Sequence, residues 1–518
     1  MGGLPTPDDR DPAPGASPAT WRVGIGSLLF ATFVFRLSQT RADPDLWGHL
    51  RFGDDLLRTG RPVRADTYSY LTGDRPWVNH EWLAEGIMAL VYRAGGAPAL
   101  VGLKVLLGTA LIAVLTLHLT RRGLSGLGAA LLVAYAMLLV LPGFESLRPQ
   151  LWTYVLFALL LMLTDRAEEG ATGWLWAGVP LFALWANLHG GVLAGIGVVG
   201  VWVAAHLAWC ERGWRTEAWR VLPPAAGMVL ASLANPYGAG LWTFLLGTAV
   251  GPRRDISEWR PVELTSVEGA IYLVALAVGI GGLAGSRRPR SPAQVAVFAC
   301  AAVLPLLARR HAALFAIAGV AVAGEHVADV SVRLARRFCP RGQRPMRDRR
   351  AMIGWLLIGQ AAVLLWLAAP HFRRVDVDPR VYPARAVALL RASGVEGHLA
   401  VFYDWGEYVL WHLGPRIKVS VDGRRETVYS DGIYRENLRF ADGTGEWNSL
   451  LRSHDTHLVL VPRGLPVWNL MKLEPGWTLL DEDAVSALFG RRDWAPLGRI
   501  QAAKPGVSPA PETPRPFP

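Results

Sequence analysis

The sequence has few cysteines and few charged residues for its length. Only three cysteines, Cys210, Cys300 and Cys339, occur among 518 residues, and charged residues make up 18% of the chain. None of the three lies in an exported loop of the topology derived below, which argues against structural disulfides and a thiolate zinc site. The low charge, with 52% hydrophobic residues in recurrent apolar runs, excludes an ordinary soluble domain and predicts a polytopic α-helical membrane protein.

A cleavable signal peptide and a nucleic-acid-binding pattern are also absent. Residues 1–20 are rich in Pro, Asp and Gly and lack a basic region before an apolar one, so we expect a disordered cytoplasmic tail and a retained signal anchor. Basic and aromatic residues do not interleave as in single-strand binders. The net charge of +11 therefore indicates no nucleic-acid partner, and the arginines cluster in short loops instead.

Apolar runs of roughly 20 residues predict about eleven membrane spans between residues 21 and 370. Pro223, Pro224 and the stretch Asn235-Pro236-Tyr237-Gly238 should kink or break the seventh span. The predicted spans are 21–38, 97–119, 124–143, 149–164, 173–187, 190–209, 221–246, 268–285, 293–308, 311–330 and 351–370.

The distribution of arginine gives the expected orientation. Counting spans places the basic clusters at 121–122, 212–220, 287–290 and 333–350 on one side, which should be the cytoplasm. The N-terminus is then cytoplasmic, and the residues after 370 lie outside the cytoplasmic (inner) membrane. The acidic stretch 165–169 on the basic side is a mild misfit to this rule.

The motif Asp43-Pro44-Asp45-Leu46-Trp47-Gly48-His49-Leu50-Arg51 directly follows the first span. Carboxylates and an imidazole at the boundary between membrane and water suit a divalent metal, a proton transfer or the recognition of a polar head group. Charged residues there usually serve a function when they face a cavity. Asp43, Asp45 and His49 are therefore candidate catalytic residues, and Arg51 is a candidate substrate contact.

The rest of the first outer loop, residues 39–96, has nearly balanced acids and bases. Its segment Trp77-Val78-Asn79-His80-Glu81 leads into a stretch, 81–93, that predicts an amphipathic helix on the membrane surface. A folded loop with salt bridges and aromatic anchors explains most of these charges. Substrate contact by His80 and Glu81 is the functional alternative.

Further polar groups fall on the same outer side. Interfacial snorkelling would explain one arginine of Arg309-Arg310-His311, but two arginines and a histidine against the positive-inside trend favour a phosphate site. Arg148 and His189 could contribute to the same anion site. Glu258 lies in a loop for which solvation and substrate contact are equally good explanations.

Residues 376–500 lose the membrane pattern and predict a small extracytoplasmic α/β domain with a mainly parallel sheet. Apolar runs at 398–403, 417–421 and 457–461 read as strands. Polar motifs follow the first two, where ligands of parallel sheets bind, although ordinary turn and capping chemistry is the alternative. The candidate substrate contacts here are Asp404, Trp405, Tyr408, Asp422 and Arg424. The Pro-rich tail, 502–518, is expected to be disordered.

Two motifs carry a resemblance to a known family. The motif that begins at Asp43 resembles the first outer loop of the catalytic subunit of oligosaccharyltransferases, most closely the archaeal form. Tyr403-Asp404-Trp405-Gly406-Glu407-Tyr408 is similar to that family's Trp-Trp-Asp-Tyr-Gly motif. The order of parts is similar to the wider GT-C superfamily of membrane glycosyltransferases, including bacterial relatives that transfer single sugars from polyprenyl phosphate.

The resemblance implies roles for individual residues. Asp43 would contact the acceptor and a metal or act as base, supported by Asp45 and His49. A divalent metal, Mg²⁺ or Mn²⁺, would be held by Asp43, Asp45 and Glu145, which stands near the place of the family's second acidic motif but lacks its aspartate pair. The Asp404 motif matches only in part, which argues against transfer of a whole oligosaccharide to asparagine.

The expected function is inverting-type transfer of a sugar from a polyprenyl-phosphate-linked donor to a glycan, lipid or protein acceptor, in contact with membrane lipid on the extracytoplasmic face. A transporter or flippase of lipid-linked saccharide is one alternative, and it should contain internal repeats. A non-catalytic envelope scaffold is another. No convincing repeat is present, and the charges lie at the outer boundary rather than at mid-membrane.

Overall fold

The computed structural model describes residues 20–210, 213–250, 256–338, 347–425, 427–507 and 515–518. Residues 1–19 of the predicted N-terminal tail, Cys339 and residues 508–514 of the predicted C-terminal tail lie outside this part of the chain. Within it, a helical bundle extends to residue 368, and a small domain around a five-stranded sheet follows.

Helices α1 to α13 make up the described bundle. They are α1 (Thr20–Ser38), α2 (Pro44–Thr59), α3 (Trp82–Arg121), α4 (Gly126–Val140), α5 (Gln150–Glu168), α6 (Gly178–Leu188), α7 (Val192–Trp209), α8 (Trp214–Ala231), α9 (Ala239–Val250), α10 (Val267–Gly285), α11 (Pro292–Leu307), α12 (Ala312–Phe338) and α13 (Arg347–Ala368). Seven helical segments of the described residues are long and apolar enough to cross a membrane: Thr20–Ser38, Trp82–Arg121, Gly126–Phe144, Val192–Trp209, Val267–Gly285, Arg309–Phe338 and Arg350–Arg373.

Each of the eleven predicted ranges contains a helix, but the helices differ in length. The predicted range 221–246 is divided between α8 and α9 by the turn around Asn235 and Pro236. Asn235 Oδ1 accepts a hydrogen bond from the Tyr237 N–H at 2.8 Å, and Gly238 has a positive φ of 54°, so the turn is closed locally. The predicted break is confirmed there, whereas Pro223 and Pro224 lie inside α8.

Helix α3 joins the first loop to the first long span after it. Its helical pattern is interrupted at Gly95 and Gly96, where Gly96 has a φ of 62°. The segment before the interruption corresponds to the predicted amphipathic helix, and the segment after it corresponds to the predicted span. The interruption changes the direction of the chain between loop and membrane, as glycine at a positive φ permits.

The basic turns predicted to share one side are joined by ion pairs. Arg122 pairs with Glu169 at 2.9 Å and with Glu325, and Arg288 pairs with Glu325 at 2.7 Å. Acidic residues of the stretch 165–169 therefore neutralise arginines at this end, which explains the misfit noted in the sequence. The first loop and the C-terminal domain lie at the opposite end, called here the cavity end.

The C-terminal domain is a mixed α/β structure. Its strands are β1 (Asp376–Val377), β2 (Gly397–Val401), β3 (Ile417–Val419), β4 (Leu458–Pro462), β5 (Trp477–Glu482), β6 (Ser486–Arg491) and β7 (Arg515–Pro516), and its helices are α14 (Ala384–Ser393), α15 (Gly406–Leu413), α16 (Asp431–Asp442), α17 (Ser449–Ser453), α18 (Pro466–Leu473) and α19 (Leu497–Ala503). The main sheet has the order β3-β2-β4-β6-β5, in which β3, β2 and β4 are parallel. The antiparallel β5–β6 pair makes the sheet half parallel rather than mainly parallel.

Backbone hydrogen bonds attach the first loop to this domain. The Val419 N–H donates to the Tyr68 carbonyl at 3.1 Å, and the Tyr70 N–H donates to the Val419 carbonyl at 3.2 Å, so the loop extends the sheet beyond β3. The Ala42 N–H donates to Asp376 O at 2.9 Å, directly before the Asp43 motif. The first loop and the domain therefore form one wall at the cavity end.

The end of the chain differs from the expected disordered tail. Helix α19 and a following turn reach Gly506, and β7 pairs antiparallel with β1. Phe517 is buried, with its ring centroid 5.2 Å from that of Trp47. The Pro-rich composition indicates disorder, but a terminal aromatic ring that fills a gap beside Trp47 favours order.

Candidate active site

A cavity of about 540 Å³ lies where the bundle, the first loop and the C-terminal domain meet. It extends from charged side chains at the cavity end into an apolar space between α7 and α11. The polar lining includes Asp45, His49, His80, Glu81, Glu85, Arg148, His189, Glu258, Arg310, His311, Glu407 and Arg424. The apolar lining includes Phe157, Leu193, Ala194, Val198, Val201, Val297, Ala301 and Leu304.

Asp43 begins α2 and holds Arg148. Its Oδ1 accepts the Leu46 N–H at 3.2 Å as an N-cap, and Pro44 occupies the first helical turn, where a missing N–H costs nothing. Its Oδ2 accepts hydrogen bonds from Ser146 Oγ at 2.9 Å and from Arg148 Nε. Both oxygens are therefore engaged, and Asp43 is not among the residues that line the cavity.

Arg148 lies at the centre of three carboxylates. Besides Asp43, it pairs with Asp45 Oδ2 at 3.1 Å and with Glu258 Oε1 at 3.3 Å. One guanidinium cannot neutralise three carboxylates, so this cluster keeps negative charge when all three are ionised. Arg148 organises the carboxylates rather than offering a free cation to a phosphate.

Asp45 and Glu407 form a pair of carboxyl groups on the cavity wall. Both lie against Gly423, where an added Cβ would be 2.7 Å from Asp45 Oδ1 and 2.8 Å from Glu407 Oε1. Burial raises the pKa of Asp45 to about 6; Arg148 opposes this shift, and the neighbouring Asp43 carboxylate adds to it. Burial, and then the charges of Asp45 and Asp422, raise the pKa of Glu407 well above its usual range.

In the sequence analysis, the motif that contains Glu407 led to Asp404, Trp405 and Tyr408 as candidate substrate contacts, and Glu407 was not selected. Trp405 donates its indole N–H to the Val381 carbonyl at 2.8 Å, and Tyr408 packs on Trp47 with ring centroids 5.0 Å apart. Asp404 is exposed and does not line the cavity. Glu407 alone of this motif lines the cavity, and its Oε2 is buried without a hydrogen-bond partner.

Three histidines and two glutamates line the wall beside Asp45. His49 Nδ1 lies 3.1 Å from Glu85 Oε1 and 4.0 Å from Glu81 Oε2. Burial lowers the pKa of His49, but the hydrogen bond to Glu85 and the charges of Glu81 and Glu85 outweigh it and raise the pKa to about 9. Glu85 was missed in the sequence, although its spacing of one helical turn from Glu81 places the two on one face of the predicted helix.

Arg310 brings a positive charge to the cavity. Its guanidinium carbon lies 4.0 Å from the ring centroid of Trp259, and it forms no ion pair within the described residues. Burial and the charge of Arg310 lower the pKa of His80 to about 3. Burial, His80 and Arg310 lower the pKa of His189 in the same direction, so both imidazoles are neutral donors beside the arginine.

Arg424 lines the cavity from the C-terminal domain but is locked in place. Its guanidinium pairs with Asp66 at 2.8 Å and with Asp422 at 2.6 Å, and both carboxylates are fully buried. It also lies 4.7 Å from the ring centroid of Trp77. These buried ion pairs join the first loop to the C-terminal domain, so Arg424 holds the cavity wall in position. Asp422 belongs to these ion pairs and does not line the cavity.

Three other predicted site residues lie away from the cavity. Arg51 pairs with Asp55 at 3.0 Å and donates to the Gly414 carbonyl at 3.2 Å, which links α2 to the end of α15. Arg309 is half-exposed and lies 3.8 Å from Glu268, whereas its neighbours Arg310 and His311 line the cavity. Glu145 is exposed, and its backbone carbonyl accepts the Arg41 N–H at 3.0 Å.

The predicted metal ligands do not come together as a set. Asp43, Asp45 and Glu145 are not among the groups of three His, Asp or Glu residues whose ligand atoms lie within 4.8 Å of one another in the described chain. Asp43 and Asp45 are already paired with Arg148, and Glu145 is exposed. The groups that meet this criterion are His49, Glu81 and Glu85 at the cavity and His398, Asp455 and His457 in the C-terminal domain.

The fold and the cavity define a polytopic helical membrane protein with a C-terminal α/β domain. No protein-family model and no curated protein sequence matches the chain. Among solved structures, it is similar to the archaeal oligosaccharyltransferase AglB of Archaeoglobus fulgidus, in complex with an inhibitory peptide and a dolichol-phosphate, with a TM-score of 0.55, 11% identity, and coverage of 85% of this chain and 69% of that chain. It is also similar to ArnT from Cupriavidus metallidurans in the apo state, with a TM-score of 0.50, 12% identity, and coverage of 94% of this chain and 99% of that chain.

Proposed function

We propose that the protein is a membrane glycosyltransferase that moves a sugar from a polyprenyl-phosphate-linked donor to an acceptor. The observation that carries this proposal is a cavity that joins carboxylates and Arg310, which has no ion pair among the described residues, to an apolar space between α7 and α11. A donor of this class has the matching parts: a hydrocarbon chain, a phosphate and a sugar. The archaeal neighbour named above contains a dolichol-phosphate, which belongs to the same lipid class.

The donor phosphate is assigned to the Arg310 side of the cavity. No carboxylate of the described residues pairs with Arg310, and its guanidinium carbon lies 4.0 Å from the ring centroid of Trp259. Phosphate oxygens match a guanidinium fork, and the positive charge would stabilise the leaving phosphate as negative charge develops on it. The hydrocarbon chain would lie along Val198, Val201 and Val297 in the apolar part.

Asp45 is assigned as the base. Its carboxylate takes the proton of the acceptor hydroxyl while the acceptor oxygen bonds to the anomeric carbon of the sugar. The bond from that carbon to the phosphate oxygen breaks, and the polyprenyl phosphate leaves with the electron pair. A single displacement of this kind inverts the anomeric carbon. Arg148 keeps Asp45 oriented through its pair at 3.1 Å.

Glu407 is assigned to the acceptor side of the same space. Its raised pKa favours the protonated carboxyl, which can donate a hydrogen bond where Asp45 accepts one. Because Glu407 belongs to the C-terminal domain, that domain would complete the acceptor site. A divalent cation would be held by His49, Glu81 and Glu85, where it would add positive charge beside the cavity.

The cavity end is assigned to the extracytoplasmic face. The support is the arginine distribution, since the basic turns and their ion pairs lie at the other end of the bundle. Single-cysteine labelling at exposed Arg61 and Arg75 of the first loop tests it: reagents that do not cross the membrane should reach both positions in intact spheroplasts. Labelling only after lysis would reverse the orientation.

Lipid analysis of a deletion strain tests the function. We expect a polyprenyl-phosphate sugar to accumulate in the outer leaflet, and complementation by the wild-type gene, but not by Asp45→Asn, to remove it. Accumulation in the inner leaflet alone would support a flippase instead. No accumulation, with full complementation by Asp45→Asn, would support a scaffold and contradict the proposal.

A further inference from the structure

Helix α13 is joined to the bundle mainly through α1. The two helices pack closely where Gly24 meets Gly354, since a Cβ added at Gly24 would lie 2.6 Å from the Gly354 carbonyl oxygen. Much of the remaining surface of α13 faces away from the described bundle, and Trp355, Leu356 and Val363 on it are exposed. Helix α13 is therefore a peripheral span whose outer surface is available to lipid or to another protein.

An open groove of about 910 Å³ runs along this outer surface. Leu28 of α1 contributes to its lining, and the other lining residues recur on α13 at the three- and four-residue spacing of one helix face. They are Met352, Trp355, Leu356, Gly359, Gln360, Val363 and Leu364. A Cβ added at Gly359 would meet nothing within 4 Å, so another helix can approach the backbone of α13 closely at this point.

Gln360 places a side-chain amide in this apolar groove. It is the only side-chain amide, hydroxyl or charged group in residues 351–370. It lies near the middle of the apolar span Arg350–Arg373, roughly 15 Å along the helix axis from Arg350. Its side chain is exposed and has no hydrogen-bond partner among the described residues. Because hydrocarbon leaves the donors and the acceptor of an amide unpaired at a high cost, we expect a partner to supply hydrogen bonds inside the bilayer.

The chemistry of the amide favours a second copy of the same chain as this partner. An acyl chain can fill the groove but offers no hydrogen-bonding group to Gln360, and a different membrane helix would need a polar residue of its own at the same depth. Two copies inserted in the same orientation are related by a two-fold axis along the membrane normal, which brings a residue near the axis opposite its own counterpart. A carboxamide is its own complement, because its NH₂ group donates and its carbonyl oxygen accepts.

We propose that α13 is the dimerisation helix of a homodimer, in which the grooves of two copies face each other and the two Gln360 amides form hydrogen bonds across the two-fold axis. Gly359 lets the two helices approach closely at the crossing point, and Trp355 and Val363 pack one turn to either side. The inference goes beyond the proposed function and does not rest on it, because none of the residues of the groove lines the cavity.

Disulfide crosslinking in native membranes tests which face of α13 meets the second copy. In a full chain whose three cysteines are replaced by alanine, Gly359→Cys should form an oxidised product of twice the chain mass. Ala362→Cys is the matched control, because Ala362 is also small and exposed, lies within one turn of Gly359 and is outside the groove. Equal crosslinking of the two variants, or none in Gly359→Cys, would overturn the proposal. A crosslinked product of any other mass would indicate a different partner and would overturn it as well.

Energy transfer between two fluorescently labelled populations of the full chain in lipid vesicles tests the role of the amide. We expect Gln360→Leu to raise the dissociation constant of the dimer about 10-fold, because the hydrogen bonds between the helices are lost. Leucine suits a membrane span, so this variant should insert like the wild type. Gln360→Asn keeps a carboxamide and should dimerise more strongly than Gln360→Leu, and Ala362→Leu should match the wild type. A wild-type protein that stays monomeric at every lipid dilution, or a Gln360→Leu protein that dimerises as well as the wild type, would contradict the assignment.

Discussion

Lys104 Nζ donates a hydrogen bond to the carbonyl oxygen of Phe144 at 2.8 Å. The same ammonium donates to the Gln39 carbonyl at 2.8 Å, and Lys104 is fully buried in α3. The two carbonyls belong to the segments that lead into Asp43 and Arg148, which form an ion pair. One buried lysine therefore fixes the relative position of the two segments whose side chains organise the carboxylate cluster.

Replacement of Lys104 should disturb the carboxylate cluster around Arg148 indirectly, through the two segments whose position Lys104 fixes. Lys104→Met keeps much of the volume but leaves two buried carbonyl oxygens without their donor, at a cost of about 1–3 kcal/mol each. We expect a lower thermal midpoint and a loss of sugar transfer of about 10-fold or more. The exposed Lys418→Met is the control. Equal midpoints and equal transfer in the two variants would contradict the positioning role.

Asp45→Asn should abolish most transfer, because an amide cannot accept the acceptor proton. General bases contribute about 10²- to 10⁴-fold, so we expect at least a 100-fold loss, with normal insertion into the membrane. Asp43→Asn should also reduce transfer, because Arg148 loses one of its three carboxylate partners and orients Asp45 less well. Asp54→Asn is the control, since Asp54 lies on the same helix and pairs with Arg93 away from the cavity. Near-wild-type transfer by Asp45→Asn would remove Asp45 from the mechanism.

Transfer should fall in acid as Asp45 is protonated. Its pKa is raised to about 6, and the base form exists above that value, so the rate should rise with pH through about 6 and then level off. The measurement is the rate of release of polyprenyl phosphate at saturating donor from pH 4.5 to 8. A rate that is independent of pH across this range would exclude a base with this pKa.

Arg310→Gln should weaken donor binding. A hydrogen bond to a charged group contributes about 1.5–3 kcal/mol, which corresponds to roughly a 10- to 150-fold rise in the donor KM or loss of kcat/KM. Arg309→Gln is the matched control, because this neighbouring side chain is half-exposed and lies outside the cavity. If the two variants changed kinetics to the same extent, the phosphate assignment would fail.

Gly48→Ala should separate α2 from the C-terminal domain. An added Cβ at Gly48 would overlap the carboxyl group of Glu407, and overpacking typically costs about 1–3 kcal/mol. We expect a lower thermal midpoint and easier proteolysis between bundle and domain. Gly26→Ala in α1 meets nothing within 4 Å and serves as the control. If the Gly48→Ala protein were as stable and as protease-resistant as the control, the Glu407 side chain would have moved aside without a loss of stability, and the prediction would be wrong.

Local patterns were sufficient for the membrane spans, the break near Pro236 and the position of Asp43 and Asp45 after the first helix. Each depends on residues that are close in sequence: runs of apolar residues, a turn that contains proline, and an N-cap residue followed by Pro44. The number of full spans was harder to predict from the sequence, because short helices such as α9 and α11 are apolar without reaching the length of a bilayer.

The motif at Glu407 illustrates what local patterns cannot supply. Glu407 and Tyr408 are adjacent, and a helix turns about 100° per residue, so only packing decides which one faces the cavity. Tyr408 is buried against Trp47, and Glu407 is thereby directed toward Gly48 and Asp45. The sequence indicated that the motif was functional but selected Asp404, Trp405 and Tyr408.

The sequence by itself determined a polytopic membrane protein with acids and arginines at the ends of its helices, because hydrophobic run length and residue type are local properties. Only the tertiary structure decided which of those charges share a space. Arg148, Asp45 and Arg310 come from distant segments, and the fold brings them to one cavity, whereas Arg51 and Arg309 turn away. The physical reason is that helix packing, together with the buried ion pairs of Arg424, sets the direction of each side chain.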